Sequence, residues 1–181
     1  MVGGMEITRQ GVDRRVTGWL DWAIEHWLAL CNGLMAVYVA LPLAAPALMA
    51  AGLSRPASWI YVLYSYSCHQ LPSHSWFPFG YQMAYCQRDT ALYGAMLVGG
   101  LAYARQRLWT RGLPWWAFAL LTLPIAVDGG TALCGLRESS PLLRTMTGAL
   151  FGLAAAWFVY PLMDRALAQF GGPHEPTTGT G

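Results

Sequence analysis

Two cysteines and two histidines lie within one polar segment, residues 66–90. Cys68 and His69 are adjacent, and His74 and Cys86 follow. Thiolate and imidazole are the ligands that zinc prefers, and four of them would complete a tetrahedral site. The spacing is not that of a zinc finger or ribbon. Two other interpretations therefore stay open: a disulfide between Cys68 and Cys86, and simple packing under an ordered loop.

Asp89 lies three residues after Cys86 and could replace one of these ligands. A carboxylate would give a harder and more open site than a fourth thiolate or imidazole. Zinc or iron is the cofactor that such a set predicts. Cys134 could join either the metal or the disulfide scheme, whereas Cys31 lies in an apolar run and is expected to be a small buried hydrophobe.

A second set consists of charged residues that the chain places beside apolar runs. Charges near lipid are costly, so they normally pair with one another or face water. One interpretation is a substrate site, in which arginines bind a phosphate or carboxylate headgroup and a carboxylate is the general base. The other is an ion-pair network that joins the ends of the membrane spans. The candidate catalytic residues are Asp128, Arg144, Arg88 and Asp89, with Arg137 and Glu138 beside them.

The elements that position these residues belong to a membrane protein. Of the 181 residues, 55% are hydrophobic and only 11% are charged, whereas a soluble domain has about 25% charged residues. The net charge of +2 is too small to indicate a nucleic-acid partner. The expected partners are the lipid membrane and other membrane subunits. The sequence shows no cleavable signal peptide, so the first span itself is expected to direct insertion.

Apolar runs predict an all-α, polytopic transmembrane bundle of about four spans. The stretch 57–71 is apolar but short, and Pro72 follows it, so we expect a re-entrant or interfacial helix there. Gly148, Gly152 and Ala156 stand at four-residue intervals and predict close helix contacts. The four predicted spans cover about residues 27–51, 85–104, 113–133 and 142–162.

Arginine distribution predicts the orientation. With four spans, most arginines fall on one side, among them Arg9, Arg105, Arg107, Arg111 and Arg165. The positive-inside rule makes that side cytoplasmic, with both termini, in a bacterial inner membrane. The polar segment would then face outward. The predicted domains are a cytoplasmic tail with an interfacial helix (1–26), a transmembrane domain (27–168) and a disordered tail (169–181).

One arrangement of residues resembles the DUF2085 family of polytopic bacterial membrane proteins. The resemblance covers roughly residues 60–155. It implies a membrane fold with a site at these positions, but the family brings no assigned activity. The residues that carry it are Cys68-His69-Gln70-x-Pro72, Gly80-x-Gln82, Tyr85-Cys86-x-Arg88, Gly94, Asp128-Gly129, Arg137, Ser139, Arg144, Thr147-Gly148 and Gly152.

The chain departs from this pattern at two places. The family reads Cys-x-Arg-Cys where this chain reads Cys86-Gln87-Arg88-Asp89, so an aspartate stands in place of the second cysteine. The arginine that the family has near residues 73–75 is also missing. Both departures imply that a metal site in this chain has weakened or changed.

The residues indicate a site without assigning it a reaction. The first hypothesis is a membrane enzyme or metal-binding protein that acts on a lipid or quinone headgroup at the outer face. The alternative is a non-catalytic subunit of a larger, energy-transducing membrane complex, or a pigment- or haem-associated subunit. Covalent c-type haem is excluded, because the sequence has no Cys-x-x-Cys-His motif.

Overall fold

The computed structural model describes residues 18–106 and 111–170, and this part of the chain is helical with short loops and no strand. Residues 18–25 form a helical segment that leads into the first long helix. The predicted all-α class is confirmed. Five helices follow in order: α1 Trp27–Ala50, α2 Ser54–Ser65, α3 Gln87–Gln106, α4 Trp115–Leu133 and α5 Pro141–Phe170. Two short 3-10 turns, Pro72–His74 and Pro78–Gly80, separate α2 from α3.

Helices α1, α4 and α5 are long and apolar enough to cross a membrane. Helix α3 has 20 residues, which is about 30 Å, but it begins with Arg88 and Asp89 and ends near Arg105. These polar ends make it less apolar than the other three, although its length matches the second predicted span, 85–104. Helix α2 has 12 residues, about 18 Å, and is too short to cross.

Helices α3 and α5 run parallel and in close contact. A Cβ atom on Gly148 would strike the carbonyl oxygen of Arg88, and one on Gly152 would strike that of Leu92. Farther along, the hydroxyl of Tyr103 donates to Asp164 at 2.9 Å. The predicted contact role of these glycines is thus confirmed within the chain, because only residues without a side chain let the backbones come this close.

Two prolines inside helices each free a carbonyl that a loop then uses. Pro46 has no N–H, so the carbonyl of Pro42 lacks its helical donor and accepts from Ala84 N–H at 3.5 Å. Pro161 likewise frees the carbonyl of Trp157, which accepts from Leu113 N–H at 3.3 Å. Each hydrogen bond fixes a connecting segment at one level along a helix. The first one, from Ala84, fixes the later part of the polar segment against α1.

The bundle has two chemically different ends. The first lies where α1 and α4 end and where α3 and α5 begin; we call it the polar end, because residues 66–90 lie there. At the opposite end, Trp27 packs on Tyr160 with ring centroids 6.0 Å apart, and Arg165 donates to the carbonyl of Arg111 at 3.1 Å. The described chain therefore begins and ends on the same side of the bundle.

Some predictions need correction or lie outside the described residues. Helix α5 continues to Phe170, past the predicted end near residue 162. Cys31 is exposed rather than buried, because it lies on a face of α1 that lines an apolar groove. The predictions for residues 1–17, for Arg107 and for residues 171–181 fall outside the described part of the chain.

Candidate functional site

A ring of three hydrogen bonds shapes the polar segment. The hydroxyl of Tyr61 donates to the carbonyl of Gln82 at 2.5 Å. The side-chain amide of Gln82 donates to the carbonyl of Gln70 at 2.5 Å, and that of Gln70 donates to the carbonyl of Tyr61 at 2.8 Å. Gln70 has a φ of 50°, a left-handed conformation that turns the chain back. These three hydrogen bonds hold the beginning of the polar segment next to its later part, near Gln82.

The return places Cys68 beside the start of α3. Ser75 forms an isolated antiparallel bridge with Cys86, and the side-chain amide Nε2 of Gln87 donates to the carbonyl of Ser75 at 3.3 Å. Cys86 directly precedes α3, and its carbonyl accepts a helical hydrogen bond from Thr90 N–H at 3.0 Å. Cys86 therefore lies at the N-terminus of α3, beside the partial positive charge of the helix dipole.

Cys68, Cys86 and Asp89 form a compact cluster. Their two sulfur atoms and a carboxylate oxygen all lie within 4.8 Å of one another. Ligand atoms around a tetrahedral zinc ion are roughly 3.7 Å apart, given bonds of about 2.0–2.3 Å. We call these three residues the ligand cluster.

Two backbone N–H donors and a hydrogen bond between the two cysteine side chains make a negative charge on one sulfur of this cluster less costly. The N–H of Cys86 donates to the Cys68 sulfur at 3.3 Å, and the N–H of Asp89 donates to the Cys86 sulfur at 3.5 Å. The pKa of Cys68 is lowered, chiefly because the Cys86 thiol donates a hydrogen bond to it. The pKa of Cys86 is raised, first by that hydrogen bond and then by burial. Of the two sulfur atoms, that of Cys68 therefore accommodates a negative charge more readily than that of Cys86.

The two histidines lie around the cluster rather than in it. His69 and His74 line a cavity of about 410 Å³ that also borders all three cluster residues and Arg88. In the described part of the chain, the predicted set of four is therefore only partly assembled. Cys68 and Cys86 come together, Asp89 joins them, and the histidines are wall residues. Cys134 is exposed at the end of α4 and stays outside the cluster.

Asp128 is the centre of a separate buried network. The residue is 1% exposed. Its Oδ2 accepts from Arg88 Nη2 at 2.5 Å and from Ser139 Oγ at 2.9 Å, and its Oδ1 accepts from Arg137 Nη2 at 2.7 Å. Arg137 also donates through Nε to Thr131 at 3.1 Å. The network joins the start of α3, the end of α4 and the loop before α5.

Arg144 lies apart from both carboxylates. It is 5% exposed, and its Nη1 donates to the carbonyl of Ser73 at 3.3 Å and to Gln87 Oε1 at 3.2 Å. The sequence pattern did not identify Gln87 as a site residue, although its polar side chain lies between two candidate residues, Cys86 and Arg88. Arg144 borders a second cavity of about 460 Å³, which His74, Arg137, Glu138 and Ser139 also line. The predicted catalytic roles of the four candidate residues remain predictions.

Comparison with known proteins covers this part of the chain. The sequence model of a family described as "Predicted membrane protein (DUF2085)" matches residues 68–158. The chain belongs to the DUF2085 family. The match begins at Cys68 and includes the ligand cluster, the Asp128 network and Arg144. The protein is therefore a membrane protein.

Two relatives, both described as uncharacterised proteins, come from archaea. The one from Methanocaldococcus jannaschii is 39% identical over 105 residues, which is 57% of this chain and 67% of the relative. The one from Methanothermobacter thermautotrophicus is 33% identical over 94 residues, 51% of this chain and 84% of the relative. The expectation that the family is bacterial is therefore too narrow, because both of these relatives are archaeal. No solved structure matches the chain.

Proposed function

We propose that this DUF2085 protein binds a zinc ion through Cys68, Cys86 and Asp89. The observation that carries the proposal is the ligand cluster, in which two sulfurs and a carboxylate oxygen from two separate parts of the segment meet within 4.8 Å. Two sulfur ligands favour zinc over magnesium or calcium, and one oxygen ligand is acceptable to zinc as well. Iron is the second metal that this donor set would accept.

Asp89 is the residue that makes this site different from the family pattern. It stands where the family has the second cysteine of Cys-x-Arg-Cys, and it supplies a ligand atom to the cluster. The site is therefore altered in its donor set and retains three ligands. A zinc ion held by three protein ligands keeps a position for water or for a substrate oxygen, and the adjoining cavity of about 410 Å³ has room for either.

The proposed site faces the outside of the cell. In the four-span topology the sequence places more arginines on the side away from the polar end than at the polar end, which supports a cytoplasmic location for that side. The seven on that side are Arg9, Arg14, Arg15, Arg105, Arg107, Arg111 and Arg165, and those at the polar end are Arg55, Arg137 and Arg144, with Arg88 at its rim. At the polar end, Arg88 and Arg137 are already ion-paired with Asp128. There the metal would act on a lipid or quinone headgroup, at the level where headgroups lie.

Metal analysis of the purified protein tests the proposal. The protein is isolated in detergent without chelator or reductant, and zinc and iron are measured per chain. We expect about one zinc per chain in the wild type, with most of it lost in Cys68→Ser, Cys86→Ser and Asp89→Asn. Cys134→Ser is the matched control, since it removes an exposed cysteine outside the cluster.

Cobalt substitution gives an independent readout. A Co²⁺ ion bound by thiolates shows sulfur-to-metal charge-transfer absorbance, which both single cysteine variants should reduce. Wild-type protein that contains no metal, gives no such absorbance and has a Cys68–Cys86 disulfide by mass spectrometry would overturn the proposal in favour of the disulfide interpretation.

A further inference from the structure

We propose that the cavity bordered by His74, Arg137, Ser139 and Arg144 binds an oxyanion of the phosphate class. The inference deepens the proposed function, because it names what would lie beside the metal, but the observations behind it concern a different set of residues. The cavity has a volume of about 460 Å³ and shares His74 and Ala132 with the cavity of the ligand cluster. An anion bound here would therefore be a neighbour of the metal site.

Arg144 is the main observation. A guanidinium is costly to bury without a negative partner, yet Arg144 is 5% exposed and its two protein acceptors, Ser73 and Gln87, are both neutral. In the described part of the chain no carboxylate lies within ion-pair distance of it. Both hydrogen bonds go through Nη1, so the other N–H groups of the fork stay available to the cavity.

The position of Arg144 in its helix increases the positive potential. It lies in the first turn of α5, which begins at Pro141, and the N-terminus of a helix already carries partial positive charge. A cation there is unfavourable for the helix itself, whereas an anion is favoured. The fork of Arg144 and the dipole of α5 thus favour the same kind of ligand.

His74, in the 3-10 turn Pro72–His74, indicates the same positive potential. Its pKa is lowered, first by burial and then by the charges of Arg144 and Arg88, while Glu138 opposes the shift. Glu138 also borders the cavity, but it is exposed, so solvent screens its charge. Asp128 does not offset Arg144, because it is ion-paired with Arg88 and Arg137.

The ligand chemistry is a tetrahedral or planar oxyanion that accepts a forked pair of hydrogen bonds. A phosphate monoester headgroup of a lipid and free inorganic phosphate both supply it. The ligand cluster is not needed for this binding. Failure of metal binding and failure of anion binding can therefore be observed separately.

The first experiment measures saturable binding of radiolabelled inorganic phosphate to the detergent-purified full chain at constant ionic strength. A parallel arm places the protein in nanodiscs of phosphatidylcholine, with and without phosphatidic acid, and follows the thermal unfolding temperature. Binding in the phosphate arm indicates a free anion, and stabilisation only by phosphatidic acid indicates a lipid headgroup. Either result supports the site, and no effect in both arms overturns it.

Variants locate the binding. Arg144→Gln should weaken it by tenfold or more, since a charge-assisted hydrogen bond to an anion is lost. Arg55→Gln is the control, because it removes an exposed arginine outside the cavity. Equal weakening by both variants would overturn the proposal. The Cys68→Ser/Cys86→Ser variant should lose zinc and still bind the anion.

A measurement on the wild type avoids the risk that Arg144→Gln fails to fold. Phenylglyoxal modifies accessible arginines, and mass spectrometry identifies which ones react. Phosphate or phosphatidic acid, whichever binds, should protect Arg144 at concentrations that leave Arg55 reactive. Equal protection of the two residues, or none, contradicts a site at Arg144.

Discussion

Asp89 and Asp128 lie at the same end of the bundle, and their surroundings are opposite. Asp128 accepts hydrogen bonds from Arg88, Arg137 and Ser139. Asp89 follows Arg88 directly in the sequence, yet its carboxylate lies with the Cys68 and Cys86 sulfurs. Adjacent residues on a helix do not face each other, so Arg88 reaches toward α4 while Asp89 reaches toward the start of the polar segment.

This difference separates a structural carboxylate from the carboxylate that we propose as a metal ligand. The buried carboxylate of Asp128 accepts three hydrogen bonds, two from arginines and one from a hydroxyl, and it holds three chain segments together. The Asp89 carboxylate instead has an oxygen within 4.8 Å of two sulfur atoms, a set of donor types that zinc accepts. The four predictions below test this separation, from the largest expected effect to the smallest.

Asp128→Asn should cause the largest loss of stability. It leaves Arg88 and Arg137 without their counter-charge; breaking a fully buried pair costs about 3–5 kcal/mol, and because the side chains of Arg88 and Arg137 are 23% and 41% exposed, solvent offsets part of the loss and we expect about 3 kcal/mol. We expect a sharp fall in the yield of monodisperse protein and a lower unfolding temperature in detergent.

Asp89→Asn is the matched control for Asp128→Asn, because it also replaces a carboxylate by an amide at the polar end of the bundle. In metal-free protein it should unfold close to the wild-type temperature. If the two variants lost equal stability, the distinction between the two carboxylates would be wrong.

Gly152→Ala should cost about 1–3 kcal/mol, because the added methyl group meets the carbonyl oxygen of Leu92 and forces α3 away from α5. The same shift would move Arg88 relative to Asp128. Gly94→Ala is the control: nothing lies within 4 Å of its added Cβ, and alanine is the better helix former. Thermal unfolding of the two variants should therefore change in opposite directions.

Asp89→Cys should sharpen the test of the proposed ligand role, because it adds a third sulfur to the ligand cluster. A third sulfur suits zinc better, so we expect zinc to bind about tenfold more tightly, which is about 1.4 kcal/mol. Competition with a chromophoric chelator measures the affinity. Cobalt charge-transfer absorbance should rise in parallel, and an unchanged spectrum would mean that residue 89 does not contact the metal.

His74 should give the smallest effect, a pH dependence of stability. Its pKa is lowered from an ordinary value near 6.5, so the unfolded chain takes up a proton more readily than the folded chain. Its contribution to stability is therefore full above about pH 6.5 and is lost as pH falls through the lowered pKa. His74→Gln should reduce the change of the unfolding temperature with pH over this range. His26→Gln replaces an exposed histidine outside the cavity and is the control that should keep the wild-type change with pH.

Hydropathy alone located the apolar spans, because a membrane requires length and apolarity whatever the neighbours are. Helices α1 and α4 match the prediction almost to the residue, and α5 differs mainly in its later end. Residue type alone also identified the polar segment, since thiols, imidazoles and paired charges are rare beside lipid-facing runs. The glycine contacts were predictable too, from their four-residue spacing.

Partner choice was decided only by the tertiary structure. Three arginines and two aspartates allow many pairings, and Arg88 and Asp128 are 40 positions apart in the sequence. The exclusion of His69 and His74 from the ligand cluster likewise follows from the turn at Gln70 and from the ring of hydrogen bonds around it. Sequence spacing sets which face of a helix a residue occupies, but the packing of α3 against α5 and the path of the polar segment set what that face meets.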